Sequence, residues 1–269
     1  MEVHKHPHHV MHKKKWTEYL LEFFMLFLAV FLGFIAENLR EHLVDKERAE
    51  QYMHTMVGNL KYDTTRCGGI TRVNMRIANG LDSLRYEIGK AISGKADANR
   101  LYYFYLKYGL SGGHAAFNRA AFEQMQNSGS LRLIKNNKLV NDVLDYYNRY
   151  TLAPEQAFNL LAASRENNFL QTCKQVFDWQ YFDELYTNER TYLGPTDTAR
   201  EHFYASVLIK QPQLQLLTSN PKDLQKLYND AAETESRFRN YNSFLRWTEA
   251  AADTLMLHIN QTYNFSESD

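Results

Sequence analysis

Residues 16 to 36 read WTEYLLEFFMLFLAVFLGFIA, and from Phe23 to Ala36 no side chain is polar. As a helix rising about 1.5 Å per residue the stretch covers roughly 30 Å, the thickness of a bilayer's hydrocarbon core. Five phenylalanines are distributed around its circumference, leaving no polar face of the kind a core helix turns to solvent. A cleavable leader fits poorly, because bulky Phe34 stands three residues before a cut after Ala36, where a small residue is needed. The segment therefore reads as an uncleaved membrane anchor, and no later stretch is of this kind.

The flanks orient the anchor. Lys5, Lys13, Lys14 and Lys15 precede it, whereas Glu37, Glu41, Asp45, Glu47 and Glu50 follow with Arg40, Lys46 and Arg48 interleaved. The compact lysine cluster favours a cytoplasmic N-terminus, which puts everything after Glu37 outside the inner membrane. At 100° per residue Glu22, Ala29, Gly33 and Ala36 share one face of the span, and small residues at that spacing admit a second helix. Glu22 either faces such a partner or reaches the nearby headgroups.

Helical spacing continues past the span through Leu39, Leu43, Met53, Met56 and Leu60, predicting a charged stalk over 37–66. Cys67, Gly68 and Gly69 are expected to interrupt it. A second amphipathic run follows with Ile70, Val73, Ile77, Leu81, Leu84, Ile88 and Ile92, stopped by Gly94 in a loop over 93–98. The aromatic stretch holding Tyr102, Tyr103, Phe104, Tyr105 and Tyr108 reads as core with one exposed edge, a ligand cage being the alternative. Further helices are expected around 115–126, over 137–176 with a kink or split at Pro154, over 197–210 behind a Thr196 or Asp197 cap, and from Asn220-Pro221 to about Asn260. Persistent β alternation is missing. The predicted class is all-α: a tail over 1–15, a transmembrane helix over 16–36, the stalk, and an elongated exported helical bundle over 67–269.

Composition narrows function. The 269 residues carry 31 Lys plus Arg against 31 Asp plus Glu, so the basic excess of a nucleic-acid partner is lacking. Two cysteines exclude a disulfide framework and a four-cysteine zinc site. Cys67 and Cys173 are expected either to form one bridge, consistent with an exported body, or to remain as two buried thiols. The N-terminal His4, His6, His8, His9 and His12 offer imidazoles for weak binding of a divalent metal, without a fixed geometry. No phosphate loop, nucleophile elbow or His-Glu metal motif occurs, which points to a non-enzymatic chain with no cofactor. In the phrase NSGSLRLIKNNKL, Asn127, Ser128 and Gly129 suit the end of one helix, Leu131, Leu133 and Ile134 form an apolar plug, and Asn136 or Asn137 caps the next, giving an interhelical corner.

That phrase, the anchor with its early Glu22, and the segment Asn59, Leu60, Lys61, Tyr62, Asp63 together resemble an uncharacterised family of single-span proteins of Bacteroidota. The resemblance covers the first 65 residues and the middle third, and it implies topology and host group but no activity. It also gives meaning to Asp63-Thr64-Thr65, Asp82-Ser83-Leu84, Asp197-Thr198-Ala199 and Asp253-Thr254-Leu255, which look like the O-glycan acceptor triplet of such bacteria and would place sugars on Thr64, Ser83, Thr198 and Thr254. The expected role is a membrane-anchored periplasmic scaffold or assembly subunit, partnered by the bilayer and by itself or a larger membrane complex. A periplasmic ligand-sensing module and an ion-driven stator-like subunit using Glu22 are the alternatives.

Overall fold

A computed structural model describes residues 15–181 and 214–265. The histidine tail, the helix expected over 197–210 and Thr198 lie outside the described residues. The described residues are all-α, with one isolated bridge between Phe177 and Leu216 and no strand. Seven α-helices are described: α1 (Trp16–Ile92), α2 (Ala98–Phe104), α3 (Ala120–Asn127), α4 (Asn137–Asp145), α5 (Leu152–Ser164), α6 (Leu170–Val176) and α7 (Pro221–Tyr263). The chain divides into two compact units, Met1–Gln51 and Tyr52–Asp269.

In the first unit every described side chain up to Leu43 is exposed, the apolar stretch included. Phe23, Phe27 and Phe31 stack along the helix one turn apart, at ring separations of 6.4 and 6.0 Å.

The second unit is organised by heptad spacing on two helices. On α1 the buried or half-buried positions step by three and four through Met53, Met56, Leu60, Asp63, Cys67, Ile70, Asn74, Ile77, Leu81, Leu84 and Ile88. On α7 the same steps run through Leu224, Leu227, Ala231, Thr234, Phe238, Tyr241, Leu245, Thr248, Ala252, Leu255 and Ile259. Such a repeat keeps one seam facing a partner helix. The two run antiparallel: Arg85 meets Glu235 at 2.7 Å, Arg239 reaches Asn79 at 3.3 Å, and Asn242 donates to the Thr71 carbonyl at 3.4 Å. One apolar core surrounds Met53–Leu60 and Ala252–Ile259 with α3 and α4, and a second surrounds Ile77–Ala91 and Leu224–Leu245 with α2, α5 and α6. Each fully buried Leu, Ile or Met contributes about 1.5–3 kcal/mol.

Four expectations are corrected here. The stalk does not end at Cys67: α1 is unbroken through Gly68 and Gly69, and Met53, Met56 and Leu60 already belong to the packed unit. The propensity loss of about 1 kcal/mol per helical Gly is small beside that packing. Asn74, not Val73, takes the buried heptad position. The helix expected at 115 starts only at Ala120, and residues 110–119 form an irregular strap. The helix expected over 137–176 does run from Asn137 to Val176, but in place of one break at Pro154 its pitch changes at π-helical turns over Tyr146–Tyr150 and Arg165–Phe169, with a turn at Thr151 ahead of Pro154. Pro154 sits buried in the first turn of α5. There it supplies no N–H to the Tyr150 carbonyl, and the Thr248 hydroxyl of α7 donates to that oxygen instead at 2.6 Å.

Other local readings hold. Gly94 and Gly129 adopt left-handed φ values of 76° and 69°. Asn136 caps α4 by accepting from the Lys138 and Leu139 N–H groups, and Asn220 caps α7 ahead of Pro221. Tyr102 and Tyr105 are fully buried, with Phe177 stacked on Tyr105 at 4.5 Å. The Tyr102 hydroxyl ties down the isolated bridge, accepting from the Asp178 N–H at 2.7 Å and donating to the Gln215 carbonyl at 3.0 Å.

Candidate functional site

Two features stand out, one in each unit. In the first, α-helical geometry does put Glu22, Ala29, Gly33 and Ala36 on one face, roughly opposite the stacked phenylalanines. All four are exposed, and a methyl group added at Gly33 would meet nothing within 4 Å. Among the described residues α1 is the one helix long and apolar enough to cross a membrane, and its apolar window is not buried by the protein.

In the second unit, the polar members of the heptad seam hold the backbone of the middle segment. Strap residues 110–119 lack secondary structure, so their peptide groups need partners from elsewhere. Asn74 supplies two, donating to the Gly113 carbonyl at 3.1 Å and accepting from the Gly113 N–H at 2.9 Å. The Tyr241 hydroxyl accepts from the Ala115 N–H at 2.9 Å, and Arg165 donates twice to the Gly109 carbonyl where the strap begins. Asp63 accepts from the Asn118 N–H and from the Tyr146 hydroxyl, each at 2.8 Å. A buried peptide group left unpaired costs about 1–3 kcal/mol, so these side chains fix the strap.

Asp63 is fully buried and lies where the two cores meet. Burial raises its carboxyl to about 6, even though the Asn118 and Tyr146 hydrogen bonds pull the other way. Tyr146 in turn is pushed well above the ordinary tyrosine range, first by burial and then by Asp63. Tyr147 stacks on Phe122 at 4.4 Å, and its carbonyl accepts from Arg119 at 2.8 Å and from the Thr151 hydroxyl at 2.9 Å. The segment Asn59–Asp63 is thus a packing motif: Asn59, Leu60 and Asp63 turn inward on one face. A signal was present in the sequence, since Asp63 and Asn74 fill the gaps in an otherwise apolar three-four repeat, but the partners across the seam were not readable.

The cysteines are free and buried. A bridge is corrected by position: next to Cys67, a Cβ at Gly68 would meet Glu249, and next to Cys173, Thr172 bonds Asp230, and these two α7 residues stand 19 positions apart, about 28 Å along the helix. A disulfide needs Cα atoms roughly 4.4–6.8 Å apart. At the interhelical corner Ile134 is buried, Leu131 and Leu133 are half-buried, Asn127, Ser128 and Gly129 are exposed, and the Ser128 hydroxyl donates to the Gln124 carbonyl at 2.7 Å. Thr64, Ser83 and Thr254 stand mid-helix with hydroxyls bonded to the preceding turn, and Asp63 of the first triplet is inaccessible.

No known family model, curated protein or solved structure matches the chain.

One cleft of about 370 Å³ opens between α4 and α7, lined by Lys138, Asp142, Tyr146, Tyr150 and Trp247 among others. Its chemistry is largely engaged within the chain. His258 meets Asp142 at 2.6 Å, and the Arg149 guanidinium lies 5.2 Å from the Trp247 ring. Among the described residues no group of three His, Cys, Asp or Glu is placed to hold a metal.

Proposed function

We propose that the chain is a single-span, membrane-anchored helical scaffold or assembly subunit, its N-terminus cytoplasmic and its packed unit periplasmic. The observation that supports this is the wholly exposed apolar stretch of α1, which nothing in the described chain covers and which leads into a helix of the packed unit. Lipid satisfies such a surface over a bilayer's thickness. The face of Glu22, Ala29, Gly33 and Ala36 then serves lateral association, with itself or with a membrane complex, because small residues let backbones approach closely.

Membrane fractionation and protease protection test the anchor: the intact chain is expected in the membrane fraction, with the packed unit digested only from the periplasmic side. Gly33→Leu tests the association, and it is expected to release co-purifying partners or shift the complex to monomer in mild detergent. An intact chain in the aqueous fraction, or an unchanged complex in Gly33→Leu, refutes the corresponding half.

A further inference from the structure

The seam around Asp63 joins three parts of the second unit through one carboxylate: α1, the strap, and the π-helical turn Tyr146–Tyr150. Among the described residues no Lys or Arg forms an ion pair with it, which is unusual for a fully buried carboxylate. Nearby guanidinium charge is directed elsewhere: Arg119 binds the Tyr147 carbonyl and the Thr151 hydroxyl, and Arg66 reaches the His114 carbonyl. We propose that Asp63 is a proton-sensitive latch, fastening the strap and the turn to α1 more tightly when its carboxyl is neutral than when it is ionised.

The hydrogen-bond inventory permits both states. Ionised, Asp63 accepts from the Asn118 N–H and the Tyr146 O–H, as observed. Neutral, it keeps the Asn118 bond on one oxygen, while on the other the carboxylic O–H and the Tyr146 O–H share one hydrogen bond in which either group can be the donor. The neutral form avoids an uncompensated charge between two apolar cores. The thiol and the two phenols that face it are all held above their ordinary values. Cys67, one turn along α1, is pushed up to about 12 by burial, then by Asp63 and Glu249. Tyr146 and Tyr147 of the turn are both pushed up, burial first. From the strap come Asn118 and the Arg119 guanidinium, and from α7 Glu249, which acts on Cys67.

The sign follows from linkage. A carboxyl raised in the folded state is better protonated folded than open, so the latch is strongest in acid and weakens as pH rises through about 6. Amide hydrogen exchange on the full chain in detergent micelles reads this, as protection factors for residues 113–119 and 143–150. Opening of these amides is expected to become about tenfold rarer between pH 8 and pH 5. Asp63→Asn is expected to abolish that pH response. Tyr146→Phe, which removes a donor to the ionised form, is expected to move the transition to higher pH. A flat profile in the natural protein, an unchanged profile in Asp63→Asn, or a transition left in place by Tyr146→Phe overturns the proposal. Should Asp63→Asn fail to fold, the Tyr146→Phe profile decides alone.

Discussion

Substituting Gly80 with Ala sets two known effects against each other on one helix. In an exposed helical position Gly→Ala stabilises by about 0.5–1 kcal/mol through chain entropy. At Gly80 a Cβ would stand 2.1 Å from Tyr108 Cγ and 2.2 Å from Cδ2, inside the ring's van der Waals surface. These atoms are close to the Tyr108 backbone, so a small rotation of the ring's far end gives no relief. The ring is also held by Phe104 at 6.3 Å and Lys107 at 5.2 Å. Overpacking of this kind costs about 1–3 kcal/mol, more than the helix gain. The net expectation is a loss of about 1 kcal/mol, or roughly 2–4 °C in Tm for a unit of this size. Gly89, on the same helix with nothing within 4 Å, is the control, and Gly89→Ala should stabilise. Guanidinium unfolding followed by circular dichroism at constant m measures both, and Gly80→Ala in a Tyr108→Ala background should revert to stabilising. Equal effects of Gly80→Ala and Gly89→Ala, or no reversal by Tyr108→Ala, would refute the reasoning.

Other expectations concern the seam and the ion pairs. Thr248→Val keeps the shape but leaves the Tyr150 carbonyl without the donor that replaces Pro154's missing N–H, and should lower stability by about 1–3 kcal/mol in the same unfolding assay. Both cysteine thiols, pushed up by burial, should resist alkylation in the native protein and react only in denaturant. Oxidant should produce no intramolecular bridge, as judged by mobility on non-reducing gels. Burial alone would raise the carboxyl of Glu87, but Lys90 at 2.8 Å and Arg100 at 2.6 Å more than offset it and hold it below the ordinary glutamate value. Its contribution is thus present at neutral pH and lost as pH falls below the ordinary value of 4.5, and Glu87→Gln should remove that part of the acid sensitivity measured by urea unfolding.

Much of the fold was legible because it is written in spacing. The three-four repeats over Ile77–Ile88 and Leu224–Ile259, the Asn220-Pro221 start, the Asn136 cap and the Gly94 and Gly129 stops are local signals, and each sits where its chemistry places it. The candidate site divides in the same way. The face of Glu22, Ala29, Gly33 and Ala36 follows from helical pitch alone, whereas the latch at Asp63 joins residues 55 and 83 positions apart, whose partnership no local pattern encodes.

By itself the sequence determined the helical class, the apolar stretch over 16–36 and the faces of the two long helices, since each depends only on residue type and a fixed 3.6-residue turn. Tertiary structure decided that α1 passes through Gly68 and Gly69, that residues 110–119 remain irregular, that the middle helix changes pitch at π-helical turns, and that the two thiols stay apart. The physical reason is common to these cases: burial against α7 outweighs a local propensity of about 1 kcal/mol, and peptide groups accept whichever buried side chain the packing brings within reach.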